Sequence, residues 1–249
     1  MKGFLEIVDL SVGYDKNVKL IHSITTSIKA GERIALLGLN GCGKTTFLKT
    51  IKGEIKALSG TVEINSIDIN EMSAIALAKK IASVDTRYQN PGQVTVEELV
   101  GFGRYPFTGR LHLLQENDKE IIKRAIEDIG IEALGHRFVE ELSDGERQKV
   151  MLACAIAQDT PILILDEPTS HLDVRNKVAI MNLIKRFSEN EQKCILFSTH
   201  DLGLAQKVAT RIWLIHDNLL IDASTEDFIK DKLWKPLMEG IDEELINWL

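Results

Sequence analysis

The sequence predicts an α/β fold with a mostly parallel sheet at its core. Three observations predict it. A glycine-rich run, Gly38-Leu39-Asn40-Gly41-Cys42-Gly43-Lys44-Thr45-Thr46, lies between the apolar strand pattern Ile34-Ala35-Leu36-Leu37 and a helical pattern that begins at Thr46. A second apolar run, Ile162-Leu163-Ile164-Leu165, ends in two carboxylates, Asp166 and Glu167. From there strand and helix patterns alternate to residue 216, and such alternation implies parallel strands joined by crossover helices.

Taken in order, residues 4–10 alternate as a strand, and Gly13 and Asp15 punctuate a loop around Tyr14. Another strand pattern covers 18–28, and Ala30-Gly31-Glu32 turns into the strand at 33–37. Leu58-Ser59-Gly60 turns into Thr61-Val62-Glu63-Ile64, which has period two, so β-rich pieces flank the glycine-rich run on both sides. Residues 73–80 read as a helix and 81–84 as a buried strand. The loop Gln89-Asn90-Pro91-Gly92-Gln93 then breaks the pattern.

From there to about 158 the chain is mostly helical. Thr95-Val96-Glu97-Glu98 is a capping box, 116–129 is helical and ended by Gly130, and Ser143 opens a third helix to Ala157. Helix 175–189, strand 194–199, helix 201–209 and strand 211–216 follow, and the tail 225–249 reads as helical, with Trp234 and Trp248 as packing residues. The organisation is one domain over 1–249, with a core of approximately 1–86 and 159–249 and a helical block of approximately 87–158 inserted into it.

Composition sets limits. Of 249 residues, 44% are hydrophobic and 27% charged, which suits one compact unit with a substantial core. The net charge of −7 and the lack of a long basic run give no electrostatic support to a nucleic-acid partner. Three widely spaced cysteines, Cys42, Cys154 and Cys194, form neither a disulfide framework nor a zinc site and favour a reducing compartment. No signal peptide is evident, and no apolar run approaches the ~20 residues of a spanning helix, so a membrane role would go through a partner.

The glycine-rich run has direct chemistry. Glycines let successive N–H groups turn inward as an anion nest, and the following helix points its positive end at the same place. Lys44 can reach β- and γ-phosphates, and the Thr45 hydroxyl can ligate Mg²⁺. A strand-to-helix turn that carries Lys-Thr by chance is the alternative, and the flanking patterns argue against it. Asp166 can hold Mg²⁺ through water, and Glu167 can orient or deprotonate an attacking water. Two solvated carboxylates at a strand end are the plainer reading. Leu142-Ser143-Asp144-Gly145-Glu146-Arg147-Gln148, read alone, is a good helix start.

Together these runs resemble an ATP-binding-cassette (ABC) ATPase, and the last matches the family's L-S-G-G-Q signature with Asp144 and Glu146 substituted, which lowers the local positive potential. The resemblance covers essentially the whole chain. It implies a P-loop NTPase (RecA-like) core with an antiparallel β subdomain and an inserted α-helical subdomain. It implies ATP and Mg²⁺ as cofactors, with ATP cradled by Gly38, Asn40, Gly41, Cys42, Gly43, Lys44, Thr45 and Thr46. Ser143 and Gly145 would meet the ATP of a second subunit facing head to tail. Tyr14 sits where the family stacks an aromatic on adenine, against the alternative of a core or loop tyrosine.

Asp173, in Ser170-His171-Leu172-Asp173, would report across the dimer interface. His200 matches the switch histidine at the γ-phosphate and joins Lys44 and Glu167 as catalytic residues. Metal contacts would come from Thr45, Asp166 and Thr86, the last standing where the family has a Gln with a longer reach. A thiol at Cys42 is open to alkylation, and bound ATP would shield it.

The segment Gly103-Arg104-Tyr105-Pro106 resembles the G-R-x-P segment of ATPases that serve importers of iron chelates (siderophores), haem or cobalamin; an ordinary loop closing a helix is the alternative. The implied assembly is an ATP-dependent homodimer with two transmembrane permease subunits and, indirectly, an extracytoplasmic substrate-binding protein, placed peripherally on the cytoplasmic face of the inner or plasma membrane. The rival is a soluble cassette ATPase such as that of iron–sulfur cluster assembly, against which the Gly-Arg-Tyr-Pro segment argues.

Overall fold

A computed structural model describes residues 4–15, 18–85, 92–109, 113–170 and 172–238. In chain order, strands β1 (Leu5–Asp15), β2 (Val18–Ile28) and β3 (Arg33–Gly38) lead into helix α1 (Lys44–Ile51). Strands β4 (Ser59–Ile64) and β5 (Ile67–Asp68), the short helix α2 (Ala74–Ala78) and β6 (Ile81–Val84) come next. Helices α3 (Val96–Phe102), α4 (Glu116–Ile129) and α5 (Asp144–Ala157) follow. Then come β7 (Ile162–Leu165), α6 (Val174–Glu191), β8 (Cys194–Ser198), α7 (Leu202–Val208), β9 (Arg211–His216), β10 (Leu219–Ser224) and α8 (Thr225–Lys230). The chain divides into two compact units, residues 1–71 with 194–249, and residues 72–193.

The first unit holds two sheets. One has the order β2-β1-β4-β5, every pairing antiparallel. The other runs β10-β9-β3-β8, with β3 parallel to both neighbours and β10 antiparallel to β9. Strand β3 is buried along Ile34–Leu37, as a strand flanked by parallel neighbours must be. Beneath it Phe47 of α1 meets Trp213 of β9 edge to face, their rings 6.0 Å apart, so the helix after the glycine-rich run is pinned to the sheet.

Two features depart from the sequence reading. Strand β1 does not stop near residue 10 but continues to Asp15, so Tyr14 stands on a strand and not in a loop. Irregular register along β1, with Asp9 at φ 46°, lets the strand bend and keep pairing with β2, and alternation alone misses such bulges. Strand β10 was not foreseen. It folds back on β9 through Asp217 and Asn218, both at positive φ (48° and 62°), the mirror-type turn that suits tight hairpins.

The second unit packs α3, α4 and α5 around one apolar cluster that includes Val96, Val100, Ile122, Ile126, Val139, Val150 and Ala153. Its strands β6 and β7 pair in parallel. The Gln158 amide, at the end of α5, donates to the Ile81 carbonyl at 2.9 Å and so fastens that helix to β6. Helix α4 ends at Gly130 with φ 70°, the left-handed cap the sequence implies.

Candidate functional site

The first unit carries the phosphate loop. Gly38, Gly41 and Gly43 all adopt positive φ (154°, 80° and 106°). At Gly38 a Cβ would come within 2.5 Å of the Cys42 sulfur, and at Gly43 within 3.1 Å of Leu20, so the loop needs glycine at both. Helix α1 starts from Gly43 with no side-chain cap and no acidic residue in its first turn. The first helical bond is the Phe47 amide donating to the Gly43 carbonyl at 2.8 Å, so the amides of Lys44, Thr45 and Thr46 precede the helical ladder. This is the arrangement that binds anions.

The Lys44 ammonium curls back and donates to the Gly38 carbonyl at 2.8 Å and the Leu39 carbonyl at 3.1 Å. Its charge is thereby held over the loop, and Lys44 is only 8% exposed. Thr45 is exposed and Thr46 buried. Tyr14 is 74% exposed, so it is not a core tyrosine; its hydroxyl makes a 2.9 Å hydrogen bond with the Thr46 hydroxyl. His200 is exposed at the end of β8, just before α7, whose N-cap is Asp201. Burial raises the thiols of Cys154 and Cys194 to about 11 and about 12, with Glu32 adding to the rise at Cys194. Cys42, in the phosphate loop, is half-buried.

The second unit carries the carboxylates and the signature run. Asp166 follows β7, is 4% exposed, and its amide donates to the Val84 carbonyl at 2.9 Å. Glu167 takes φ 49°, an uncommon conformation for a residue with a side chain. The amide and the hydroxyl of Ser170 both donate to the Glu167 carbonyl at 3.0 Å, which holds that conformation in place. Asp173 caps α6 by accepting from the Asn176 amide at 2.8 Å.

Ser143 caps α5. Its hydroxyl donates to the Glu146 carboxylate at 2.7 Å, its amide donates to the same oxygen at 2.9 Å, and the Glu146 amide returns a bond to the hydroxyl. These bonds from Ser143 hold the Glu146 carboxyl below its ordinary 4.5. Arg147 bridges Asp144 and the Leu142 carbonyl. The start of α5 lies beside the loop after Glu167: a Cβ on Gly145 would stand 3.5 Å from Leu172, and the Gln148 amide donates to the Pro168 carbonyl at 3.4 Å.

The structure thus brings Tyr14 together with the phosphate loop in one unit, and Ser143 and Gly145 together with the loop of Asp166, Glu167 and Asp173 in the other. Thr86 and Gln89 lie outside the described residues, as does His171.

Sequence reasoning missed two contacts. One is the Tyr14–Thr46 bond, between residues 32 apart, which no periodicity reports. The other explains the Gly-Arg pair of the Gly103–Pro106 segment. A Cβ at Gly103 would sit 2.3 Å from the Cys154 carbonyl oxygen, so only glycine lets the end of α3 lie on α5. Arg104 is buried, pairs with Asp118 at 2.9 Å, and donates to the Ala157 carbonyl at the end of α5. In the sequence the pair shows only as an Arg with an Asp 14 residues later.

Beside this clamp, the second unit has an open groove of about 770 Å³. Val94, Phe102, Tyr105, Leu114 and Ile122 give it an apolar lining, and Glu97 and Lys123 add charge. Among the described residues no helix is long and apolar enough to cross a membrane.

Residues 21–170 match the family model described as ABC transporter. The iron(3+)-hydroxamate import ATP-binding protein FhuC of Bacillus subtilis is 34% identical over 232 residues, spanning 91% of this chain and 86% of that one. The achromobactin transport ATP-binding protein CbrD of Dickeya dadantii is 34% identical over 209 residues, spanning 84% and 77%. A bacterial ABC transporter cassette solved as a dimer superposes with a TM-score of 0.79 at 24% identity, over 89% of this chain and 98% of that one.

Proposed function

Because the chain belongs to the ABC transporter family and is one of its ATP-binding, ATP-hydrolysing subunits, we propose that it powers an importer of a metal chelate, of the iron-siderophore, haem or cobalamin class. The observation that carries this reading is the open groove beside the Gly103–Pro106 segment. Its apolar lining with mixed charge suits a short amphipathic helix on the cytoplasmic side of a permease subunit. The relatives serve a ferric hydroxamate and achromobactin transport by their names, which supports the chelate class. On this reading the protein sits peripherally on the cytoplasmic face, with two permease subunits and, beyond them, an extracytoplasmic binding protein.

Catalysis in this proposal uses both halves. The α1 amides and Lys44 bind the phosphates, and Tyr14 stacks on the base. Two chains pair head to tail, so that Ser143 and Gly145 of each close over the other's ATP, with Asp173 at the junction. Glu167 accepts a proton from the attacking water, and His200 holds the γ-phosphate as it leaves ADP. The Thr45 hydroxyl and the Asp166 carboxylate are hard oxygen donors of the kind that would hold Mg²⁺, which would supply charge neutralisation to the bound phosphates. Loss of the γ-phosphate removes charge that both chains bind, and the dimer reopens.

The test is the Glu167→Gln protein purified from native membranes with Mg-ATP. The expected result is a stable ATP dimer by light scattering, accompanied by a multi-span membrane protein. A stable dimer that brings only soluble partners would replace the importer with a soluble cassette ATPase. A protein that stays monomeric would remove the closure step.

A further inference from the structure

The Tyr14–Thr46 hydrogen bond has a use that base stacking alone does not supply. Tyr14 is three-quarters exposed, so packing does not hold its ring. It stands at the end of β1, in the stretch where the register with β2 shifts twice, between Val12 and Asp15. Thr46, in contrast, is only 4% exposed and lies in the first turn of α1, and its own carbonyl accepts the Thr50 hydroxyl at 2.9 Å. The helix beneath it is pinned to the sheet by Phe47 and Trp213. An exposed ring is therefore fastened, through one 2.9 Å bond, to the buried first turn of a helix packed on the sheet.

We propose that Thr46 is a positioning residue for base recognition: its hydroxyl tethers the Tyr14 phenol and sets the distance between the base platform and the phosphate nest. This rests on the reading of Tyr14 as that platform. A free phenol ring must be ordered when a base stacks on it, and ordering a side chain costs binding energy. A tethered ring has met that cost beforehand. A threonine hydroxyl also has acceptor capacity to spare. With the phenol as donor, the Thr46 hydroxyl keeps its own proton for an oxygen of the bound phosphates.

The bond is part-buried, so groups released from it can turn to water, and its loss should act at the low end of hydrogen-bond effects.

The experiment is a double-mutant cycle of Tyr14→Phe and Thr46→Val, read by titration calorimetry with two probes, Mg-ATP and Mg-tripolyphosphate. Tripolyphosphate fills the nest and offers no base. Tyr14→Phe should weaken ATP by about threefold and leave tripolyphosphate unchanged. Thr46→Val should weaken both, and in the double variant the tyrosine effect on ATP should disappear. Tyr14→Ala should weaken ATP further than Tyr14→Phe does, because the platform itself is gone.

If Tyr14→Phe binds ATP as the wild type does while Tyr14→Ala binds weakly, stacking stands and the tether is overturned. Additive effects on ATP in the cycle overturn it as well. If Tyr14→Phe tightens tripolyphosphate, the hydroxyl competes with phosphate and the tether is again wrong. If Tyr14→Ala leaves ATP affinity untouched, the base-platform reading fails first.

Discussion

Helix α1 begins without a side-chain cap and without an acid in its first turn, whereas α5 begins with a complete capping box and with Asp144 and Glu146 in its first turn. In the proposed head-to-tail pair, both helix starts face the same phosphates, one from each of two chains. The difference teaches how labour is divided between them. At α1 no side chain caps the start and no acid offsets the positive end of the helix dipole, and the Lys44 ammonium lies over the loop. At α5 the Ser143 hydroxyl and amide already bond Glu146, and two carboxylates offset the dipole. On the proposed function, the first start holds the polyanion, and the second adds to binding once a phosphate held by another chain is brought against it.

The largest expected effect tests that asymmetry directly. Lys44→Ala should lower ATP turnover by roughly a hundredfold or more, as removal of one charged group aimed at a reacting phosphate does. It should also abolish measurable ATP binding by the isolated chain. If Lys44→Ala bound ATP as tightly as the wild type, the Lys44 charge would not be what sets α1 apart from α5, and that part of the comparison would fail.

A smaller pair of effects sharpens it from the other side. Ser143→Ala removes a cap worth about 1 kcal/mol of helix stability. It should leave ATP affinity of the isolated chain unchanged while turnover falls, because only the paired state uses that hydroxyl. Glu146→Gln retains a side-chain oxygen for Ser143 but deletes the negative charge. In a Glu167→Gln background it should shift ATP-dependent dimerisation to about two- to fivefold lower ATP, the scale of one charge at a helix start. A shift to higher ATP would mean that Glu146 assists closure instead of opposing it.

The same contrast explains what could be read from the chain beforehand. The glycines, Lys44 and Thr45 are legible because their chemistry depends on neighbours in sequence: strand, turn and helix start are contiguous, and positive φ at Gly38, Gly41 and Gly43 follows from the turn itself. The capping boxes at Thr95 and Ser143 are legible for the same reason. What was illegible is held by distant residues. Strand β1 continues past residue 10 because of irregular pairing with β2 and β4, and bulges leave no mark in alternation. Arg104 reads as a motif residue until its burial against Asp118 and the end of α5 shows a packing reason for it. Tyr14 matched a position in a family pattern, but the partner that fastens it lies beyond two further strands, in α1.

The smallest effect expected is a pH dependence that separates α5 from the bare start of α1. The Glu146 carboxyl is held below its ordinary 4.5, first by the Ser143 hydroxyl, then by the Ser143 amide, with Arg137 and Lys149 adding charge. A carboxyl depressed by folding stabilises the folded chain above its unfolded pKa, and that contribution is lost as pH falls through the folded value. Melting temperatures of the wild type and Glu146→Gln, compared across the acid range, should therefore differ most above 4.5, with the wild type the more stable. The two curves should converge as the pH drops below it, because the protonated Glu146 then differs little from glutamine. Other carboxylates titrate in the same window, but they titrate in both proteins, so the difference between the curves isolates this one. A gap that stayed constant with pH would mean that glutamine harms the helix by shape alone, and that the charge at the start of α5 does nothing for its stability.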